Sequence, residues 1–150
     1  MDVERSGRTV RCSVVVPVLD EEQVIATCHR RLAAVMASTG ESYELLFVDD
    51  GSSDGTLRLL RGIASRDPAV VVVSLSRRFG HQAALSAGMD HARGECVVSI
   101  DADLQDPPEL IPRMLELWRA GAEVVTARRV RRRGDGPLKR STAWLFSRGL

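Results

Sequence analysis

The two aspartates Asp101 and Asp103 form the spacing in this sequence best suited to chemistry. In extended chain, side chains two residues apart point the same way, so both carboxylates can face one hard cation, with Gln105 adding a third oxygen. Mg²⁺ or Mn²⁺ held by so few protein ligands keeps open positions that suit the oxygens of a diphosphate. The same residues also read as an acidic capping turn ahead of Pro107 and Pro108. A second acidic segment, VDDGSSDGT at 48–56, allows two readings as well. It can be a capped turn with glycines at positive φ and Asp54 as the cap. Alternatively Asp50, fixed at a strand end, accepts hydrogen bonds from a base or ribose. An EF-hand loop fails at both segments, because Leu60, Arg61 or Pro112 falls where the bidentate glutamate belongs.

Other chemistries are excluded by pattern. Cys12, Cys28 and Cys96 include no CxxC pair and no histidine at a zinc spacing, so they read as reduced thiols rather than a disulfide framework or zinc site. Nothing like GxGxxG follows the first apolar run, and no GxxxxGK[ST] occurs. No Ser, His and acid arrangement is suggested: His29 falls on the polar side of a helix, His91 near a helix end, and His81 beside Gly80, where it caps, hinges or contacts a ligand.

The elements that must position these residues follow from hydrophobic period. Cys12 to Val18 is a β-branched run buried on both faces, followed from Glu21 to about Ser38 by a helical stripe of Val24, Cys28, Leu32, Val35 and Met36. Strands at Tyr43–Val48, Val70–Leu75, Cys96–Ile100 and Glu123–Ala127 then alternate with helices at Thr56–Ala64, Gln82–Ala92 and from Pro107 and Pro108 to about Ala120. Such alternation predicts a parallel sheet with helices on both faces and a ligand beyond the carboxyl ends of the strands. Leu19–Glu21, Asp49–Asp50, Ser76–Arg78 and Asp101–Gln105 all fall at those ends.

The 150 residues, 44% hydrophobic and 27% charged, suffice for one domain with a real core. The net charge of +1 conceals a split: residues 1–127 carry 13 basic and 19 acidic side chains, whereas residues 128–150 carry 8 and 1. An acidic body argues against a general nucleic-acid binder. The run Arg128, Arg129, Arg131, Arg132 and Arg133 reads as a solvated face or, after a strand end, as a partner for developing negative charge. The amino terminus has no apolar signal segment, and no apolar run is long enough to span a bilayer.

Four segments, VVVPVLDEE, FVDDGSSDGT, SRRFGHQAALSAGMDHARGE and SIDADLQDPPELIP, resemble in order and spacing the family 2 glycosyltransferases. The similarity is strongest to polyprenyl-phosphate sugar synthases of the dolichyl-phosphate mannose synthase and undecaprenyl-phosphate glucosyltransferase type, and runs from about Cys12 to about Phe146. It implies a GT-A fold, a mostly parallel Rossmann-like sheet flanked by helices, a nucleotide-sugar donor (a UDP-sugar before GDP-mannose), and Mg²⁺ or Mn²⁺. Carried over by position, Pro17, Glu21, Val48, Asp50 and Asp101 match nucleotide-contacting residues, and Asp101, Asp103 and Gln105 match the metal and diphosphate motif. Asp103, Arg129 and Arg140 take the catalytic assignments, the arginines near the diphosphate and acceptor phosphate. Leu19 stands where members often carry an aromatic residue, and Arg78 where SRNFG-type members have Asn.

The resemblance also implies an anionic polyprenyl phosphate as acceptor, which attacks the anomeric carbon with inversion and without a strong general base. It places the protein at the inner face of the plasma membrane, against an anionic surface. The expected organisation is an extension at 1–10, a nucleotide-sugar-binding domain at 11–136, and the start of an interfacial helix at 137–150. Members are longer, so this chain is expected to be the donor-binding portion, binding nucleotide without efficient turnover. A transferase to a saccharide and a non-catalytic binding remnant remain alternatives.

Overall fold

A computed structural model describes residues 9–127. Four strands, β1 (Cys12–Val18), β2 (Tyr43–Asp49), β3 (Val70–Ser74) and β4 (Cys96–Ser99), form one parallel sheet in the order β3-β2-β1-β4. The helices are α1 (Ile25–Ser38), α2 (Thr56–Ala64), α3 (His81–His91) and α4 (Ile111–Arg119), the last entered through a 3₁₀ turn at Pro108–Leu110. From β1 to α4 the alternating strand and helix order expected from the sequence is the order observed.

Strand parity divides the core. Val14, Val16 and Val18 of β1 and Leu45 and Phe47 of β2 face α1, α2 and α4, where Ile25, Leu32, Met36, Leu60 and Leu115 complete the larger cluster. Val15, Leu46 and Val48 point the other way and meet Ala84 of α3. Each large side chain fully withdrawn from water contributes about 1.5–3 kcal/mol, so the two central strands, buried along nearly their whole length, dominate the stability of the sheet. Cys12 and Cys28 lie inside the larger cluster, and burial pushes the Cys28 thiol up to about 12.

At the amino-terminal edge of the sheet a buried polar network ties the α3–β4 turn to the central strands. The Glu44 carboxylate, 2% exposed, accepts from Ser13 Oγ at 2.7 Å, from the Arg93 backbone N–H at 2.9 Å, and from Arg93 Nε and Nη2 at 3.1 and 2.9 Å. Burial pushes the Glu44 carboxyl up, but those hydrogen bonds and the guanidinium outweigh it and hold the group below its ordinary value.

Two expectations are corrected. The first helix begins at Ile25 rather than Glu21, because the N–H groups of Glu21 and Glu22 are drawn to Thr56 Oγ1 (2.8 Å) and Asp54 Oδ2 (3.2 Å) on the neighbouring loop. Residues 123–127 form no strand: after Gly121, at φ +101°, the chain runs on without ladder hydrogen bonds, with Val124 82% exposed. The extension up to residue 8, Arg129, Arg140 and the helix expected at 137–150 lie outside the described residues.

Candidate functional site

The carboxyl ends of β1, β2 and β4 converge on a cavity of about 260 Å³. Pro17, Val18, Leu19 and Glu21 come from β1 and the loop after it, Asp50 from the end of β2, and Asp101, Ala102 and Asp103 from the loop after β4. Arg78, His81 and Ala84 form the remaining wall, from the β3–α3 loop and the first turns of α3. Parallel pairing aligns Val18 with Asp49, and the Asp50 N–H donates to the Val18 carbonyl at 2.9 Å, so both strands deliver their loops at one level. β4 stops at Ser99, paired with Val15, and the Ile100 N–H still reaches the Val15 carbonyl at 3.1 Å. That shorter strand opens room above it for the Asp101–Gln105 turn.

The loops after β1 and β2 clasp each other. Asp20, at φ +54°, accepts through Oδ1 from the Ser53 N–H (2.7 Å), Ser53 Oγ (3.1 Å) and the Asp54 N–H (3.3 Å), and donates its own N–H to Ser52 Oγ (3.0 Å). Glu22 Oε2 accepts from the Gly55 N–H at 2.7 Å, while Asp54 Oδ1 accepts from the Thr56 N–H at 2.9 Å. The N-cap position of α2 is Gly55, with no side-chain cap, so the capping expectation for Asp54 is not met; Asp54 closes a local turn onto Thr56 and accepts a cross-loop bond from Glu22 that sequence spacing did not reveal.

Carboxylates crowd the edge around Glu21. Partial burial pushes the Glu21 carboxyl up, and the neighbouring charges of Asp103, Asp54 and Asp20 add to the shift. His81 Nε2 stands 3.8 Å from Asp101 Oδ1, but both side chains are 56% exposed and the pair contributes little. Asp103 Oδ1 accepts from the Gln105 N–H at 3.0 Å across a turn in which Leu104 sits at φ +61°. Among the described residues no three acidic, histidine or cysteine groups are gathered as a closed metal cage. Two carboxylates on one cavity wall fit a cation that takes its other ligands from water and a bound anion, as Mg²⁺ and Mn²⁺ do.

The structure brings Pro17, Glu21, Asp50, Asp101 and Asp103 together, as the sequence reading required. Two candidates stand apart. Val48 is fully buried, its side chain in the cluster under α3, and does not line the cavity. Gln105 is exposed and outside the cavity lining, with its backbone engaged by Asp103. Arg78 and His81 also line the cavity; ligand contact was one of three readings open for His81 and none was made for Arg78, whose position after a strand end was the available signal.

The chain belongs to glycosyl transferase family 2, whose model matches residues 13–148. The parallel sheet flanked by helices is the GT-A, Rossmann-like arrangement. It is 52% identical over 144 residues to an uncharacterized glycosyltransferase, YkcC, of Bacillus subtilis (strain 168), covering 96% of this chain and 45% of the relative. It is 44% identical over 138 residues to the bactoprenol glucosyl transferase of Shigella phage SfV, covering 91% and 45%. Among solved structures, the mannosyltransferase PcManGT from Pyrobaculum calidifontis in complex with GDP-Man and Mn²⁺ superimposes with a TM-score of 0.69 at 28% identity, covering 86% of this chain and 38% of that one. The chain thus spans less than half the length of these relatives.

Proposed function

We propose that the chain is the donor-binding part of a glycosyltransferase that moves a sugar from a nucleotide-sugar to a polyprenyl phosphate with inversion. The observation that carries this reading is the meeting of three strand ends, with Glu21, Asp101 and Asp103, on one cavity in a family 2 chain. The name of the SfV relative supports a lipid-linked acceptor, and the Mn²⁺ and GDP-Man of the PcManGT complex support a divalent cation and a nucleotide-sugar donor. Peripheral attachment to the inner face of an anionic membrane is part of the proposal; no helix of the described residues is long and apolar enough to cross a bilayer.

In this reading Asp101 and Asp103 hold the cation, and Gln105 contributes on rearrangement of its turn. A bound Mg²⁺ or Mn²⁺ supplies charge stabilisation for the departing nucleoside diphosphate. Pro17, Glu21, Asp50 and Asp101 face the nucleotide, and Val48 contributes only by fixing the strand beneath it. Arg129 and Arg140 are assigned to the diphosphate and acceptor phosphate, holding two anions at reacting distance. The acceptor oxygen is already an anion, so the chain needs no strong general base.

Calorimetric titration of the 150-residue protein with UDP-glucose and GDP-mannose, with and without Mn²⁺, tests this reading. Metal-dependent binding of one donor is expected, a UDP-sugar before GDP-mannose, and Asp103→Ala should abolish the metal dependence. Binding unchanged by that substitution, or no binding of either donor, would overturn it.

A further inference from the structure

Among the described residues two that are not glycine hold a positive φ, Asp20 at +54° and Leu104 at +61°, and each adjoins residues that line the cavity. An aspartate tolerates that backbone, and the Asp20 carboxylate is held there by Ser53 and Asp54. A leucine gains nothing comparable: its Cβ crowds the following carbonyl, and such a conformation persists only where the surroundings impose it. At Leu104 the constraint is its own side chain, partly buried against the larger core cluster to which Ala102, 3% exposed, also belongs. Burial alternates along the turn, with Ala102 and Leu104 packed inward and Asp101, Asp103 and Gln105 exposed. Asp101 and Asp103 therefore stand on one cavity wall although their charges repel, and Asp103 Oδ1 closes the turn by accepting from the Gln105 N–H at 3.0 Å. A turn free to relax would carry one carboxylate away from the other.

We propose that Leu104 is a positioning residue: its anchored side chain holds the turn left-handed and so keeps the Asp103 carboxylate beside Asp101, ready for one divalent cation. The inference rests on the nucleotide-sugar reading for the cation and adds to it a residue that touches neither cation nor donor. It accounts for a branched apolar side chain on a backbone suited to glycine or asparagine. Placing the carboxylates in advance removes ordering that binding would otherwise have to supply.

The test compares wild type with Leu104→Ala, Leu104→Gly and Ile111→Val. Alanine removes the anchor and leaves the left-handed backbone unfavourable, whereas glycine removes the anchor and adopts that backbone freely. Ile111→Val thins the same core cluster from α4 and leaves the turn's own residues intact. Mn²⁺ binding, read from the electron paramagnetic resonance of the free ion, should weaken about tenfold in both Leu104 variants, equivalent to about 1.4 kcal/mol, and stay unchanged in Ile111→Val. In nuclear magnetic resonance wild type should show the short amide–Hα distance of a positive φ at residue 104, and Leu104→Ala should lose it.

Wild-type Mn²⁺ affinity in Leu104→Ala would overturn the proposal, and so would equal weakening in Ile111→Val, the mark of a general loss of packing. Full affinity in Leu104→Gly beside a weakened Leu104→Ala would overturn it too, because backbone conformation would then suffice without the anchor. Should wild type bind no Mn²⁺, the cation assigned to this cavity falls. The positioning role is then decided at residue 104 itself: a positive φ that Leu104→Ala loses supports it, and one that is retained, or is absent from wild type, overturns it.

Discussion

Glu44 shows how much a single buried carboxylate can do far from any ligand. Its two oxygens receive four hydrogen bonds from Ser13 and Arg93, joining β1, β2 and the turn into β4. Glu44→Ala leaves the Ser13 hydroxyl and the Arg93 backbone N–H without that acceptor. The expected cost is about 2–3 kcal/mol, less than for a wholly buried ion pair because Arg93 remains partly in water. The acid dependence has a definite sign. Because the folded-state value is depressed, the stabilisation is fully present above the unfolded value of about 4.3 and is lost as pH falls through the folded value. Urea unfolding of wild type and Glu44→Ala should therefore differ at pH 7 and converge in strong acid. A constant difference across that range would show that the network contributes by packing alone.

At the scale of elements, α3 depends on one glycine for its approach to the sheet. A Cβ on Gly88 would sit 2.3 Å from Val15 Cγ1 and 3.0 Å from Val48 Cγ2, both on fully buried residues. Gly88→Ala improves intrinsic helix propensity by about 1 kcal/mol, yet overpacking a filled core costs about 1–3 kcal/mol, so the clash prevails and the melting temperature falls. Val15→Ala removes the obstructing methyls, so the double variant should be more stable than the two single effects sum to; strict additivity would mean that α3 shifts instead. The approach of α3 could not be read in advance, since a helical glycine states only that something is close. The strands could be, because β-branched runs bounded by turns admit few readings. Asp101 and Asp103 were legible for the same reason, lying at the end of such a run. The bonds that Asp50 accepts from the Phe79 and Gly80 N–H groups were not, being contacts across 29 and 30 residues between loops whose spacing carries no period. Glu123–Ala127 misled because Val124, Val125 and Thr126 satisfy strand propensity, whereas pairing needs a partner edge that local sequence does not supply.

Across the whole molecule, charge divides along the chain. Residues 1–127 carry six more acidic than basic side chains, and residues 128–150 carry seven more basic than acidic. The acidic part gathers carboxylates at one sheet edge, where a bound cation would relieve their repulsion; on the proposed reading, adding Mn²⁺ should raise the melting temperature of wild type and leave that of Asp103→Ala unmoved. The basic segment has the opposite charge, and on the proposed reading it meets anions. A membrane rich in anionic lipid offers about 1 kcal/mol for each arginine or lysine held close to it, within a screening length of about 8 Å at physiological ionic strength. With eight such residues in the segment, partial engagement is enough for measurable adsorption. Sedimentation with vesicles containing phosphatidylglycerol should carry the protein down at low salt and release it at high salt, while vesicles of phosphatidylcholine alone should not. Replacing Arg128, Arg129, Arg131, Arg132 and Arg133 with glutamine should abolish the difference without lowering the melting temperature. Equal partitioning to the two vesicle types would remove the electrostatic basis for membrane attachment, whatever the nucleotide titrations show.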